Sequence, residues 1–172
     1  QLEVLNKEFP DKAILALTAT ATDRVQADIV KQLRLPRVTK IVGSFNRPNL
    51  SYTVRPRQNV VSQIMEVLKR FPDQSGIIYT ATKKTADNLH QVLGAAGISV
   101  AKYHGGLSDA QRTANQNSFI RDKVNVMIAT LAFGMGINKP DIRFVIHAEM
   151  PQTIERYYQE TGRAGRDGLP AE

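Results

Sequence analysis

The 172-residue sequence contains no cysteine, and this absence removes two classes of site at once. Without thiols the chain can form neither a disulfide nor a metal centre that depends on thiolate ligands. Histidine is also scarce: His90, His104 and His147 are scattered along the chain and do not have the spacing typical of metal ligands. No metal site is therefore predicted.

The sequence also lacks an apolar run of membrane-spanning length, and no signal peptide opens it. These two absences predict an intracellular protein with no membrane partner. Hydrophobic residues still make up 42% of the chain, which is enough to build a core and argues against disorder. The length suits one domain, or one domain and a piece of another.

Positive charge is what the sequence has in excess, with a formal net charge of +7 at pH 7. A surplus of this size favours a polyanionic partner. A basic, solvent-exposed surface without such a partner would have the same composition, so charge alone leaves both interpretations open.

Hydrophobic periodicity predicts alternating strands and helices over most of the chain. Strands are predicted at residues 13–17, 41–42, 77–79, 100–103, 126–129 and 144–146, with an extended segment at 50–54. Helices are predicted at residues 23–34, 61–71, 86–96, 108–120 and after Pro151, and residues 2–9 have the pattern of a helix end. Ser108 and Gln111 have the spacing of a capping box. The alternation predicts a three-layer α/β/α fold with a mainly parallel sheet and ligands at the carboxyl ends of the strands.

The last third of the chain carries the most specific pattern. Gln159, Arg163 and Arg166 follow one another at spacings of four and three, which predicts that they share one face of a helix. An amide and two guanidinium groups suit an anionic planar or tetrahedral ligand better than a core. Two arginines on a solvated helix are the simpler alternative, but they would not explain the neighbouring glycine-bearing loop at residues 133–140.

Two segments of this region resemble known motifs. Residues 159–168 read QETGRAGRDG and resemble motif VI of superfamily 2 helicases, and residues 129–140 read ATLAFGMGINKP and resemble motif V. Their wording is similar to the RecQ family of DNA helicases rather than to the DEAD-box RNA group. Upstream, residues 18–20 resemble motif III, and residues 44–49 resemble the segment between the two motor domains of RecQ proteins.

The resemblance implies a RecA-like, P-loop NTPase-type fold. Residues 1–46 would end a first RecA-like domain that lies in cis, and residues 47–172 would form the second. The implied activity is ATP-dependent 3′→5′ translocation on single-stranded DNA, with unwinding of duplex DNA. The resemblance assigns catalytic roles to Arg166, Arg163 and Gln159, and roles in ATP binding and coupling to Thr18, Thr20, Gly136 and Asp141. Because residues 154–158, in the first part of the same predicted helix, have apolar groups to pack, we expect the Arg166 guanidinium to be held in place but directed outwards.

Polar residues follow three of the predicted strands and match the DNA-binding positions of the family. They are Thr80, Thr82 and Lys83 after the first, His104 and Gly105 after the second, and Thr130 after the third. RecQ proteins commonly have Cys-x-Ser-Arg where this chain has Thr80-Ala-Thr82-Lys83, and lysine cannot form the bidentate fork of arginine. For His104, a capping or core role is as good an interpretation as a phosphate contact.

The sequence contains neither a Gly-x-x-x-x-Gly-Lys-Ser/Thr loop nor an Asp-Glu-x-His segment. In the resembling family both lie in the first domain, so ATP and Mg²⁺ would depend on residues upstream of Gln1, and the chain alone is expected to be inactive. Two alternatives stay open: an RNA-directed or remodelling motor of the same superfamily, and a non-catalytic nucleic-acid-binding module. The intact Arg163 and Arg166 argue against a pure binding module.

Overall fold

The computed structural model describes residues 4, 8–9, 12–18, 21–34, 37–44, 46–134 and 137–172. The chain divides into two compact units, Gln1–Asn46 and Arg47–Glu172. Among the described residues, no helix is both long enough and apolar enough to cross a membrane.

The first unit contains helix α1, Asp23–Leu33, which begins where the Thr22 hydroxyl accepts a hydrogen bond from the Val25 amide at 3.4 Å. The helix predicted at 23–34 is therefore confirmed. The strands predicted at 13–17 and 41–42 are wrong, because neither segment is in a strand. Their apolar side chains point to solvent instead: Leu17 is 84% exposed and Ile41 is 92% exposed. Most of the helix end predicted at 2–9 lies outside the described residues.

The physical reason for this error is that a strand needs a partner. A short apolar run becomes a buried strand only when a neighbour takes up its backbone hydrogen bonds and covers its side chains. The described part of the first unit supplies no such neighbour.

The second unit alternates strands and helices as predicted. In chain order the elements are α2 Val60–Arg70, β1 Gly76–Tyr79, α3 Lys83–Ala95, β2 Val100–Tyr103, α4 Asp109–Ile120, β3 Val126–Ala129, β4 Phe144–His147 and α5 Ile154–Thr161. The capping box that begins α4 is confirmed, because the Ser108 hydroxyl accepts from the Gln111 amide and the Gln111 side chain accepts from the Ser108 amide. In the segment predicted as extended at 50–54, only Leu50 forms a bridge, to Ala171.

The four strands form one parallel sheet in the order β2-β3-β1-β4. The register aligns their carboxyl ends, since Tyr79 pairs with both Ala129 and His147, and Tyr103 pairs with Ala129. Residues that follow β1, β2 and β3 therefore emerge side by side at one edge of the sheet.

Apolar side chains cover both faces of the sheet. On one face Ile78 and Ile128 pack in a cluster with Leu68 of α2 and Leu89 of α3. On the opposite face the alternate strand residues pack in a second cluster that includes Phe119 of α4 and loop residues between β3 and β4. Helices on both sides of a parallel sheet confirm the predicted three-layer α/β/α fold.

Candidate functional site

The loops after β1, β2 and β3 are brought together by backbone hydrogen bonds. The Thr80 amide donates to the carbonyl of Ala129 at 2.8 Å, and the Thr130 amide donates to the carbonyl of Tyr103 at 3.1 Å. We call residues 80–83, 104–106 and 130 the track loops. The structure therefore places all the sequence-predicted DNA-binding residues at the carboxyl edge of the sheet.

Within the track loops, the two threonines after β1 have different surroundings. Thr80 is only 2% exposed, and its hydroxyl lies 3.2 Å from the carbonyl oxygen of Thr82. Thr82 is exposed and begins α3, where its hydroxyl accepts from the Thr85 amide at 3.0 Å. Thr80 thus holds the turn, whereas Thr82 and the exposed Lys83 remain at the surface.

His104 is buried and both ring nitrogens have partners. Nδ1 accepts from the Gly106 amide at 3.2 Å, so Nε2 carries the proton and faces Asp87 Oδ1 at 3.1 Å. Hydrogen bonds from Lys102 and then from His104 lower the pKa of Asp87, which keeps this carboxylate ionised. The geometry gives His104 the capping role that was one of its two interpretations. The role of Asp87 was not predicted, since α3 and β2 bring its carboxylate to His104 only in the folded chain.

The helix after Pro151 is shorter than predicted. α5 ends at Thr161, so it carries Gln159, which is exposed, but neither Arg163 nor Arg166. The prediction that all three share one helix face is wrong, because the chain leaves the helix at Gly162 and adopts a left-handed conformation at Gly165. We call residues 162–169 the arginine turn.

Arg163 reaches from the arginine turn to the loop after β3. A Cβ atom built on Gly134 would lie 2.4 Å from Nη2 of Arg163, so a side chain at this position would push the guanidinium out of its place. The Nε atom of Arg163 is buried and has no hydrogen-bond partner among the described residues. Burial raises the pKa of the neighbouring Tyr79 to about 12, and the charge of Arg163 acts in the opposite direction. An unpaired buried donor with a positive charge is a site that an anion would satisfy.

Arg166 lies beyond α5, in an exposed part of the arginine turn. Its Nε donates to the carbonyl of Gly162 at 3.2 Å and Nη1 donates to the carbonyl of Ile137 at 3.3 Å. Burial lowers the pKa of Arg166, and the positive charges of Arg163 and Arg47 lower it further. The guanidinium groups of Arg163 and Arg47 therefore lie close enough to repel that of Arg166, which favours a ligand with several negative charges.

Asp141 has a structural partner. Lys139 is 3% exposed, and its Nζ atom contacts the carboxylates of Asp122 and of Asp141, the latter at 3.2 Å. Two carboxylates around one buried ammonium group make a satisfied ion cluster. The remaining positions predicted for ATP binding and coupling are Thr18, which is exposed in the first unit, and Thr20 and Gly136, which lie outside the described residues.

A buried carboxylate that the sequence did not reveal holds α5 to the sheet. Glu160 is 4% exposed, and its carboxylate contacts Nε2 of His147 at 2.8 Å and Nε of Arg156 at 2.8 Å. Burial acts to raise the pKa of Glu160, but the hydrogen bonds from His147 and Arg156 outweigh it, and the pKa is lowered. The spacing of four between Arg156 and Glu160 was a visible signal; the contact with His147 was not.

The donor set of the site fits a phosphate group. Arg163 and Arg166 offer guanidinium donors, and among the described residues no carboxylate pairs with either of them. No comparable set of ligands for a metal ion is found: the described residues contain no group of three His, Asp or Glu side chains that could hold one.

Comparison with known proteins agrees with this geometry. Residues 59–168 match the family described as helicase conserved C-terminal domain. Among solved structures, Dbp5 of S. cerevisiae bound to RNA and ADP BeF3 superposes with a TM-score of 0.73 at 24% identity, over 90% of this chain and 42% of that one. A DEAD box protein from Methanococcus jannaschii gives a TM-score of 0.59 at 29% identity, over 65% and 31% of the two chains. The fold and the family match thus define a RecA-like helicase C-terminal domain.

Sequence relatives narrow this class. The chain is 46% identical over its whole length to the ATP-dependent DNA helicase RecQ of Haemophilus influenzae, and 46% identical over 99% of its length to that of Bacillus subtilis. It spans 28% and 29% of these two relatives. A protein of Acanthamoeba polyphaga mimivirus, named provisionally as an ATP-dependent RNA helicase, is 48% identical over 93% of the chain and 29% of its own length. The chain belongs to the helicase C-terminal domain family and, within it, to the RecQ group.

Proposed function

We propose that this chain supplies the second motor domain of an ATP-dependent DNA helicase that moves 3′→5′ on single-stranded DNA and unwinds duplex DNA. Relatives named ATP-dependent DNA helicase support the class of reaction. Because the chain spans about a quarter of their length, the proposal concerns a longer protein. Residues 1–46 would belong to its first RecA-like domain, and its DNA substrate agrees with an intracellular protein.

The observation that carries this proposal is the Nε atom of Arg163, which has no hydrogen-bond partner among the described residues and lies on a guanidinium group close to Arg166. Hydrolysis of ATP builds negative charge on the γ-phosphoryl oxygens, and preorganised guanidinium donors stabilise that charge. Arg163 and Arg166 would donate to these oxygens, with Gln159 beside them on the exposed face of α5. Mg²⁺ bound with ATP would be held by residues of the first RecA-like domain and would supply further positive charge to the phosphates.

The track loops would hold the phosphates of the DNA strand. Thr82, Lys83, Gly105 and Thr130 offer hydroxyl, ammonium and backbone amide donors at one edge of the sheet. Thr80 and His104 would act indirectly, since their polar atoms already bind neighbouring groups. Contacts of this kind read the backbone rather than the bases, so binding should depend weakly on sequence and strongly on salt.

One assay tests the proposal: ATP hydrolysis by the full-length protein with no nucleic acid, with single-stranded DNA and with single-stranded RNA. We expect DNA to stimulate turnover and RNA of the same length and composition to stimulate it less. Stimulation by RNA alone would favour the second candidate, an RNA-directed motor, which the mimivirus relative's name supports. No stimulation by either would favour a non-catalytic binding module.

A further inference from the structure

Two side chains at the start of the second unit bind the backbone of the arginine turn. Nη2 of Arg47 donates to the carbonyl oxygens of Ala164 at 3.1 Å and of Gly165 at 2.8 Å. Nδ2 of Asn49 donates to the carbonyl oxygens of Gly165 at 2.8 Å and of Leu169 at 2.9 Å. Four hydrogen bonds thus join residues that are 116 to 120 positions apart in sequence.

Backbone hydrogen bonds hold the same segment in place. Leu50 N donates to the carbonyl of Arg47 at 3.0 Å, which closes a turn around Pro48. Ala171 N donates to the carbonyl of Asn49 at 2.9 Å, and Ser51 N donates to the carbonyl of Ala171 at 2.9 Å. The two side-chain donors therefore stand on a backbone that is itself fixed beside the end of the arginine turn.

Gly165 shows how closely the two segments fit. Its φ of +54° lies in the left-handed region that favours glycine. A Cβ atom at this position would lie 2.5 Å from Nδ2 of Asn49 and 2.8 Å from the carbonyl oxygen of Leu169. The amide of Asn49 therefore occupies the space that a side chain on Gly165 would fill.

The bonded carbonyls belong to the residues between the two arginines. Ala164 and Gly165 follow Arg163 and precede Arg166, so donors on their carbonyls fix the backbone from which both guanidinium groups project. Catalysis by charged groups depends on their position, and a misplacement of about 1 Å can cost about 100-fold in rate.

We propose that Arg47 and Asn49 are positioning residues, which hold the arginine turn in the conformation that presents Arg163 and Arg166 to a phosphate. This inference rests on the proposed function, because it requires that the two arginines act in ATP hydrolysis. Neither Arg47 nor Asn49 needs to touch the nucleotide itself.

The first test is Asn49→Asp in the full-length protein. The change keeps the shape of the side chain, but it replaces the amide donor with a carboxylate oxygen that faces two carbonyl oxygens. We expect kcat for DNA-stimulated ATP hydrolysis to fall about 10- to 100-fold, as expected for displaced catalytic groups. The dissociation constant of ATP should change less than about threefold, because positioning matters most in the transition state. Asn117→Asp on the exposed side of α4 is the matched control and should leave both constants unchanged.

A double variant shows whether the effect passes through the arginine turn. If Arg166→Ala lowers kcat and adding Asn49→Asp lowers it no further, the two changes act on one unit, as the inference predicts. If the losses of kcat in the two single variants add up in the double variant, Asn49 acts elsewhere, and the inference is overturned. If Arg166→Ala has no effect on kcat, the proposed function fails; if Arg166→Ala is defective and Asn49→Asp is normal, only this inference fails.

Variants of Arg47 provide a second test, which can be made even if Asn49→Asp does not fold. A lysine ammonium group at position 47 can donate to both carbonyls, so Arg47→Lys should retain more turnover than Arg47→Ala. Arg55, which forms an exposed ion pair with Glu66 at 2.7 Å, provides the control Arg55→Ala. Equal turnover in Arg47→Ala and the parent protein would contradict the inference. So would loss of turnover in Arg47→Ala with a matching loss of thermal stability and no rescue by lysine.

Discussion

The arginine turn and the track loops use their polar side chains in different ways. In the track loops, Thr80 and His104 are buried and bound to neighbouring groups of the protein. In the arginine turn, the Nε atom of Arg163 has no partner among the described residues, and Arg166 binds only backbone carbonyls. Two buried side chains of the track loops therefore stabilise the fold, whereas neither guanidinium group of the arginine turn is paired with a carboxylate among the described residues.

This difference predicts different consequences of mutation. A ligand in the track loops would meet mainly backbone amides, hydroxyls and one lysine, and each such contact contributes little. A ligand at the arginine turn would meet two guanidinium groups in a partly desolvated site, where each contact contributes far more. Changes at the turn should therefore act on turnover, and changes at the track loops on affinity for DNA.

Apart from the loss of Arg166 itself, the largest effect is expected at Gly134. In Gly134→Ala the new methyl group would lie 2.4 Å from Nη2 of Arg163 and displace the guanidinium. We expect kcat of the full-length protein to fall about 100-fold, the size expected for a misplaced catalytic group. Gly94→Ala is the control, since its Cβ atom would make only an ordinary 3.8 Å contact with Val100. Normal turnover in Gly134→Ala would show that ATP hydrolysis does not depend on the position of the Arg163 guanidinium.

The next largest effect is expected on the stability of the folded chain, at Glu160. Glu160→Gln removes a buried carboxylate between His147 and Arg156, and we expect the free energy of unfolding of the 172-residue chain at pH 7 to fall by about 2 kcal/mol. The pKa of Glu160 is lower in the folded chain than its ordinary value of 4.5. The ionised carboxylate therefore stabilises the folded chain fully above about pH 4.5, and this stabilisation is lost as the pH falls through the pKa of the folded state.

Urea unfolding at several pH values measures this effect. The difference in unfolding free energy between Glu160→Gln and the parent chain should be full at pH 7 and should shrink below about pH 4.5. A difference that stays constant down to pH 3 would show that the ionised carboxylate is not what holds α5 to β4.

The smallest effect is expected in the track loops. Lys83→Ala in the full-length protein should weaken binding of single-stranded DNA about tenfold and reduce the salt slope by about 1, as for one lost phosphate contact. At saturating DNA, kcat should be unchanged. Lys84→Ala removes the same charge from the neighbouring exposed position and should have the smaller effect. Equal effects of the two variants would mean that charge acts at long range and that Lys83 makes no contact.

Much of the second unit could be predicted from the sequence because its signals are local. The apolar runs at 77–79 and 126–129 became β1 and β3, and the Ser108–Gln111 spacing became the capping box of α4. These patterns depend on neighbours within one element. The same reasoning failed at 13–17 and 41–42, where an apolar run lacks a strand to pair with in the described part of its unit.

The site was predicted less completely than the fold, since its geometry depends on distant residues. Spacing alone put Arg163 and Arg166 on a helix, but the chain turns at Gly165, whose path is fixed by Asn49 more than 100 residues upstream. The roles of Asp87 beside His104 and of Glu160 beside His147 likewise appear only when the elements pack together. The motif proposed the candidate residues, whereas the contacts of each one appear only in the folded chain.

The most direct test of the division between the two regions is made at Arg166, by measuring kcat for DNA-stimulated ATP hydrolysis and the dissociation constant of ATP in parallel. In the full-length protein we expect Arg166→Ala to lower kcat about 1,000-fold or more, as for a lost arginine finger, and to leave the ATP and DNA dissociation constants nearly unchanged. Arg166→Lys should recover only part of the turnover, because a point charge cannot form the guanidinium fork. A large rise in the ATP dissociation constant with unchanged kcat at saturation would contradict this, and would make Arg166 a ground-state binding residue.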